Sequence, residues 1–166
     1  MLIGISYFTS GPRHIFNASD SNNPSRDSLS VNDAIEKFIK YCQPIFLKSA
    51  IGSDMSDLVE ERLKKIEEGE YESSGIDILI DKLKDPFADF VFFTIMKNSN
   101  EQATITGMVR LKCANEYVSP TPVLVNAWNS MVNGLNCFLE WVVSKECPYK
   151  VKIDSNMLIP INTLNI

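Results

Sequence analysis

The sequence predicts a mainly α-helical fold, a compact bundle of about four or five helices with a small β-hairpin and extended N- and C-terminal arms. Three observations carry that expectation. Apolar residues recur at helical spacing in several separate windows, Asp85-Pro86 and Thr121-Pro122 read as cap-plus-proline helix starts, and one short stretch around Gly107 alternates in the manner of strands. A chain of 166 residues and 18.7 kDa suits one domain, and 45% hydrophobic with 22% charged residues excludes a wholly disordered, collagen-like or coiled-coil chain. The domain reading is residues 1–29 as an N-terminal arm and polar linker, 30–147 as the helical domain with a hairpin near 103–112, and 148–166 as a C-terminal arm.

Residues 1–8 hold Leu2, Ile3, Ile5, Tyr7 and Phe8, a short strand-like apolar patch, and the stretch to Ser30 is rich in Ser, Asn, Asp and Pro. Ser30 can cap a helix whose apolar positions are Val31, Ala34, Ile35, Phe38, Ile39 and Cys42. Pro44 lacks an amide hydrogen and disfavours helical geometry at Gln43, so that helix should stop or kink there, with a short segment at Ile45, Phe46 and Leu47 beyond it. A second amphipathic helix starts near Ser53 and Asp54, carries Met55, Leu58, Val59, Leu63 and Ile66, and stops at Gly69.

Ile76, Leu79, Ile80 and Leu83 form a short amphipathic helix. A separate one begins at Pro86 and runs to Met96 with almost no polar face, which makes it the central helix; a buried aromatic-rich strand is the other way to hold these residues. Ala103, Ile105, Val109 and Leu111 alternate with Thr104, Thr106, Arg110 and Lys112 about Gly107, which gives the hairpin. The last long helix runs from Thr121 to about Lys145 on a stripe through Trp128, Met131, Val132, Leu135, Phe138, Leu139 and Val142. The final nineteen residues are too apolar for a solvated tail and should dock on their own domain or on a neighbour.

Function classes narrow by exclusion. Cys42, Cys113, Cys137 and Cys147 are scattered without a CxxC pair and His14 is the single histidine, which argues against a zinc site and against a Cys/His or Ser/His catalytic pair. Cys42 and Cys137 read as small core hydrophobes. No phosphate-cradling glycine loop and no HExxH motif occurs, and the carboxylates show no acid/base pairing. The expectation is a protein that is not an enzyme and uses no cofactor and no metal. The longest apolar run, Phe90 to Phe93, is far too short to span a bilayer, and the N-terminus lacks a secretory signal, so no membrane role is expected and the chain should stay cytoplasmic. The net charge of −5 disfavours nonspecific nucleic-acid binding. Residues 54–89 carry twelve acids against five bases, which gives an acidic face that includes Glu60, Glu61, Glu67 and Glu68.

The segment DPFADFVFFTIMKNSNEQATITGMVRLKCANEYVSPT, followed by VLVNAWNSMVNGLNCFLEWV, resembles the small helical head-tail connector proteins of tailed bacteriophages, especially those of Bacteroidales and crAss-like phages. The shared order is an aromatic-rich helix, an Asn-containing turn, a T-x-T-G-hydrophobic-V hairpin matched by Thr104, Thr106, Gly107, Met108 and Val109, a polar loop, and a long helix. Tyr41-Cys42-Gln43-Pro44, closing an N-terminal amphipathic helix, is also similar, so the likeness covers roughly residues 30–146.

The resemblance implies a structural virion protein, made in the host cytoplasm and placed at the head-tail junction. It would form a twelvefold ring beneath the portal, contacting the portal protein and neighbouring tail or ring proteins while DNA passes as cargo. On that reading Leu2, Ile3, Ile5, Tyr7 and Phe8 at one end, and Ile153, Leu158, Ile159 and Ile161 at the other, are the expected subunit or partner contacts. Glu60, Glu61, Glu67 and Glu68 then form an acidic channel or solvent face. The competing reading is a small acidic cytoplasmic binding protein of the immunity type that neutralises a basic partner.

Overall fold

The computed structural model describes residues 1–69, 72–99, 101–104, 107–110, 121–144 and 147–162, with backbone only for 101–104 and 107–110. Among the described residues four α-helices make up the bundle: α1 (Arg26–Ile51), α2 (Ser53–Glu67), α3 (Ile76–Ser99) and α4 (Thr121–Val143). Three short 3₁₀ turns, Ile5–Phe8, Gly11–Arg13 and Ser155–Leu158, lie in the terminal segments.

α1 starts four residues before the expected Ser30 cap. Ser25 is the N-cap, its Oγ accepting from the Ser28 N–H at 3.1 Å. The helix runs through Pro44 without stopping, because Phe46, Leu47, Ala50 and Ile51 beyond the proline are all buried and their burial holds the chain helical. The missing proline N–H leaves the carbonyl of Lys40 without its intrahelical partner, a smaller cost than exposing that face. Gly52, at φ +84°, makes the sharp break into α2, a backbone region that L side chains rarely adopt.

The expected helix start at Asp85-Pro86 is also corrected, since Ile76–Ser99 is one helix with Pro86 inside it. α3 is the central element, packed along α4 on one side and against α1 and α2 on the other. Its fully buried Leu79, Leu83, Phe87 and Val91 face Phe46 of α1 and Met131 and Leu135 of α4 in one continuous core. Phe46 meets Phe87 and Phe90 at ring-centroid distances of 5.2 and 5.6 Å, and Phe93 meets Trp128 at 5.1 Å, the tilted spacing that aromatic pairs favour. At the α3–α4 crossing Pro86 lies so close to Gly134 that a Cβ there would stand 2.8 Å from the proline Cγ. Glycine at 134 is what lets the two backbones approach.

The backbones of Glu101–Thr104 and Gly107–Arg110 pair antiparallel, with Glu101 opposite Arg110 and Thr104 opposite Gly107. This pair does not reproduce the hairpin expected near 103–112. It begins and ends two residues earlier, and Leu111 and Lys112 lie outside the described residues.

The termini differ most from expectation. Residues 1–8 are neither strand-like nor an extended arm: Leu2, Ile3 and Phe8 are buried in the chain's own core, with Ile5 and Tyr7 packed against it. The C-terminal segment also lies along the bundle in cis. The Lys152 and Asp154 backbone N–H groups donate to the carbonyls of Ile51 and Ser49 at 3.3 and 2.7 Å, satisfying groups at the end of α1 that have no helical partner, and Met157 is buried. Of the two cysteines read as core, Cys42 is buried while Cys137 is exposed, because 137 falls on the outer side of α4.

Candidate functional site

The apolar run of α3 from Pro86 to Phe93 is broken by one charged residue, Asp89, and helix geometry turns that residue toward α4 and the N-terminal segment. Asp89 is only 6% exposed. A carboxylate so placed requires donors, and two meet it: Arg13 Nε donates to Oδ1 at 2.6 Å and Ser130 Oγ to Oδ2 at 2.8 Å. Arg13 closes the 3₁₀ turn that starts at Gly11, whose φ of +72° turns the chain back toward α3. Its two terminal nitrogens donate to Oδ1 of Asp85 at 3.1 and 3.0 Å, and its guanidinium lies over the Tyr7 ring. Asp85 and Asp89, one helical turn apart, thus share one guanidinium.

Beside this cluster opens a cleft of about 330 Å³ with Arg13, Asp89, Asn126 and Ser130 on its polar side and Phe92, Val123 and Ala127 on its apolar side. Both Asp89 oxygens are engaged, so the group acts as an electrostatic tie that fastens residues 11–13 across α3 and α4. His14 is exposed, and its backbone N–H closes the turn at Gly11.

A second polar tie holds the C-terminal segment. Asn129 grips Ile161 at both backbone groups, its Nδ2 donating to the carbonyl and its Oδ1 accepting from the N–H, each at 2.9 Å, while Trp128 Nε1 donates to the Ile159 carbonyl at 2.8 Å. Ile153, Leu158 and Ile161 are partly buried by this docking, and Ile159 stays 56% exposed. The residues expected to contact neighbours therefore divide. Leu2, Ile3 and Phe8 have no surface left to offer, Ile5, Tyr7, Ile153, Leu158 and Ile161 have some, and Ile159 has most of its own.

The four glutamates run from the middle of α2 to just past its end. Glu61 is exposed beside Lys65 at 2.8 Å, Glu67 is exposed and paired with the N-terminal ammonium of Met1, Glu68 is exposed, and Glu60 is partly covered. The Lys65 hydrogen bond holds Glu61 below the usual carboxylate range, and the Met1 ammonium does the same for Glu67. Nearby Lys40 and Lys64 reduce the net charge of this end further. Within the same stretch of α2 Arg62 donates to both oxygens of Asp77 at 2.8 and 2.9 Å, and Asp77 also accepts from the Ser74 N–H, so its carboxyl is held below its ordinary value. Burial pushes the Cys42 thiol up, which suits a packing role.

Sequence reading missed the Arg13–Asp89–Ser130 cluster and the Asn129 clasp. A lone aspartate in an aromatic run is a signal that a buried donor must exist. Nothing in the polar stretch around Arg13 marks it as that donor.

The fold defines an α-helical bundle with both described ends docked on it, and the cluster defines a structural ion-pair site. No protein-family model matches the chain, and no curated protein or solved structure shows significant similarity to it.

Proposed function

We propose that this chain is a structural subunit of a phage virion, one copy in a ring beneath the portal that joins capsid to tail around the DNA exit channel. The observation that carries the reading is the exposure of large apolar side chains on separate elements. Phe16 is 80% exposed, Tyr41 on α1 64%, with Ile45 one turn on, and Val143 on α4 84%. α1 and α4 each pack on α3, so these residues are carried by separate elements of the bundle. A closed ring needs two different faces on each copy, one fitting the other on the next. The motif resemblance over residues 30–146 supplies the portal as the template. In this reading the pair Glu101–Thr104 and Gly107–Arg110 serves as the connector hairpin, Ile159 is what remains of the C-terminal arm for a neighbour, and Glu60, Glu61, Glu67 and Glu68 face passing DNA or solvent.

The test is assembly on the portal protein encoded in the same genome, followed by mass photometry and electron microscopy. The expected product is a portal carrying a ring of many copies, and Tyr41→Glu with Ile45→Glu should block it while leaving the helical content unchanged. A chain that ignores the portal and instead forms a one-to-one complex with a basic toxin would replace this reading with the immunity-type one.

A further inference from the structure

α4 has twenty-three residues and only one charged side chain, Glu140, in a chain where 22% of residues are charged. Its outer side carries asparagines at 126, 129, 133 and 136, with Glu140 and Val143 continuing the same alternation of three- and four-residue steps. Such spacing keeps all six on one stripe of a helix. Asn126, Asn133, Asn136, Glu140 and Val143 are exposed. The side chains of Asn126, Asn133 and Asn136 form no hydrogen bond, and Glu140 no ion pair, among the described residues.

One position of the stripe is occupied, and its occupant shows what the amides can read. Asn129 takes the N–H and the carbonyl of a single residue, Ile161, in main chain that leaves the last 3₁₀ turn extended at Ile159. A primary amide can pair with one residue's N–H and carbonyl in this way whatever the side chain of that residue. Successive asparagines on the stripe rise about 5 Å, and an extended strand advances about 6.6 Å per two residues, so a strand laid obliquely meets one amide at every second residue. The stripe ends at a shallow hollow lined by Asn136, Leu139, Glu140 and Val143, which offers apolar surface next to a carboxylate that pairs with no cation among the described residues.

From this we infer that Asn133, Asn136 and Glu140 form a docking rail for an extended peptide segment of a partner protein. The segment is read through its main chain by the two amides, places an apolar side chain in the Leu139–Val143 hollow, and brings a lysine or arginine to Glu140. The basic residue follows from charge complementarity, and the extended conformation from continuity with the Asn129–Ile161 clasp. This inference shares Val143 with the ring reading but does not rest on it, since a peptide rail needs no particular assembly.

The probe is a synthetic peptide repeating residues 157–162 and ending in lysine, blocked at both ends, titrated into the full ¹⁵N-labelled chain. Side-chain amide resonances of Asn133 and Asn136 should shift and saturate. Asn133→Ala with Asn136→Ala should weaken binding by roughly tenfold or more, as the loss of two amide–peptide contacts implies, with unchanged helical content. Glu140→Gln should weaken the lysine-ended peptide but not one ending in glutamine. The inference fails if the shifts are confined to Asn129 and the chain's own tail, which would mean simple displacement in cis. It fails equally if the double variant binds as tightly as the parent, or if the same shifts arise from raising the protein concentration alone, which would make a second copy the occupant.

Discussion

At the scale of single residues, the buried charge on α3 dominates. Removing Arg13 leaves Asp89 enclosed with one hydroxyl donor, so Arg13→Leu should destabilise the fold by about 1.5–3 kcal/mol in urea unfolding, the range for a charged hydrogen bond partly open to water. The double variant Arg13→Leu with Asp89→Leu removes both charges and should recover part of that loss. If the double variant is less stable than the sum of the two single changes, the pair is not an uncompensated-charge problem and the assignment is wrong. Asp77 gives a pH signature. Its folded-state carboxyl titrates below the ordinary 3.8 because of Arg62 and then Ser74, so its contribution is fully present above that value and is lost as pH falls through the depressed one. Asp77→Asn should therefore lower stability at neutral pH and flatten the acid limb of the stability profile below about pH 3.8, as followed by circular dichroism.

At the scale of elements, the contact between Pro86 and Gly134 sets how closely α3 and α4 approach. Gly134→Ala places a methyl against a rigid ring and should cost about 1–3 kcal/mol by overpacking, although alanine is the better helix former. Pro86→Ala clears the space, so the alanine at 134 should be cheaper in that background; equal costs in both would show that the ring is not the obstacle. The same proline shows why the helices were only partly legible. The apolar spacing of α2 and α4 is visible in sequence because each buries one stripe. Pro44 and Pro86 read as boundaries because local geometry disfavours helix there, and the chain continues because Phe46 and Leu47 past one proline and Phe87, Ala88 and Val91 past the other are fully buried. Tertiary burial outweighs the lost hydrogen bond, a comparison no local window contains. Among the cluster residues Asp89 was visible as a polar intruder in an apolar run, whereas Arg13 is reached only by a turn at Gly11 and a separation of 76 residues.

For the whole molecule, the terminal segments behave as parts of the bundle. The apolar composition of residues 1–8 and 148–162 was readable, but the choice between docking in cis and docking on a neighbour depends on which groove stays open after α1 to α4 pack, and sequence spacing does not carry that. Deleting residues 148–166 uncovers the surface that Met157 buries and frees the carbonyls of Ser49 and Ile51. It should cost about 3 kcal/mol or more, read as a lowered urea midpoint with a smaller transition slope. A truncated chain of undiminished stability would return the tail to the role of a free arm.

The clasp at the end of α1 also orders events in time. The carbonyls of Ser49 and Ile51 emerge from the ribosome about a hundred residues ahead of the amides at 152 and 154 that complete them, and contacts of such long sequence separation form late. During synthesis the carbonyls of Ser49 and Ile51 therefore stay open to water until the tail arrives. The C-terminal turn of α1 gains its final backbone hydrogen bonds only when residues 152–154 dock on it.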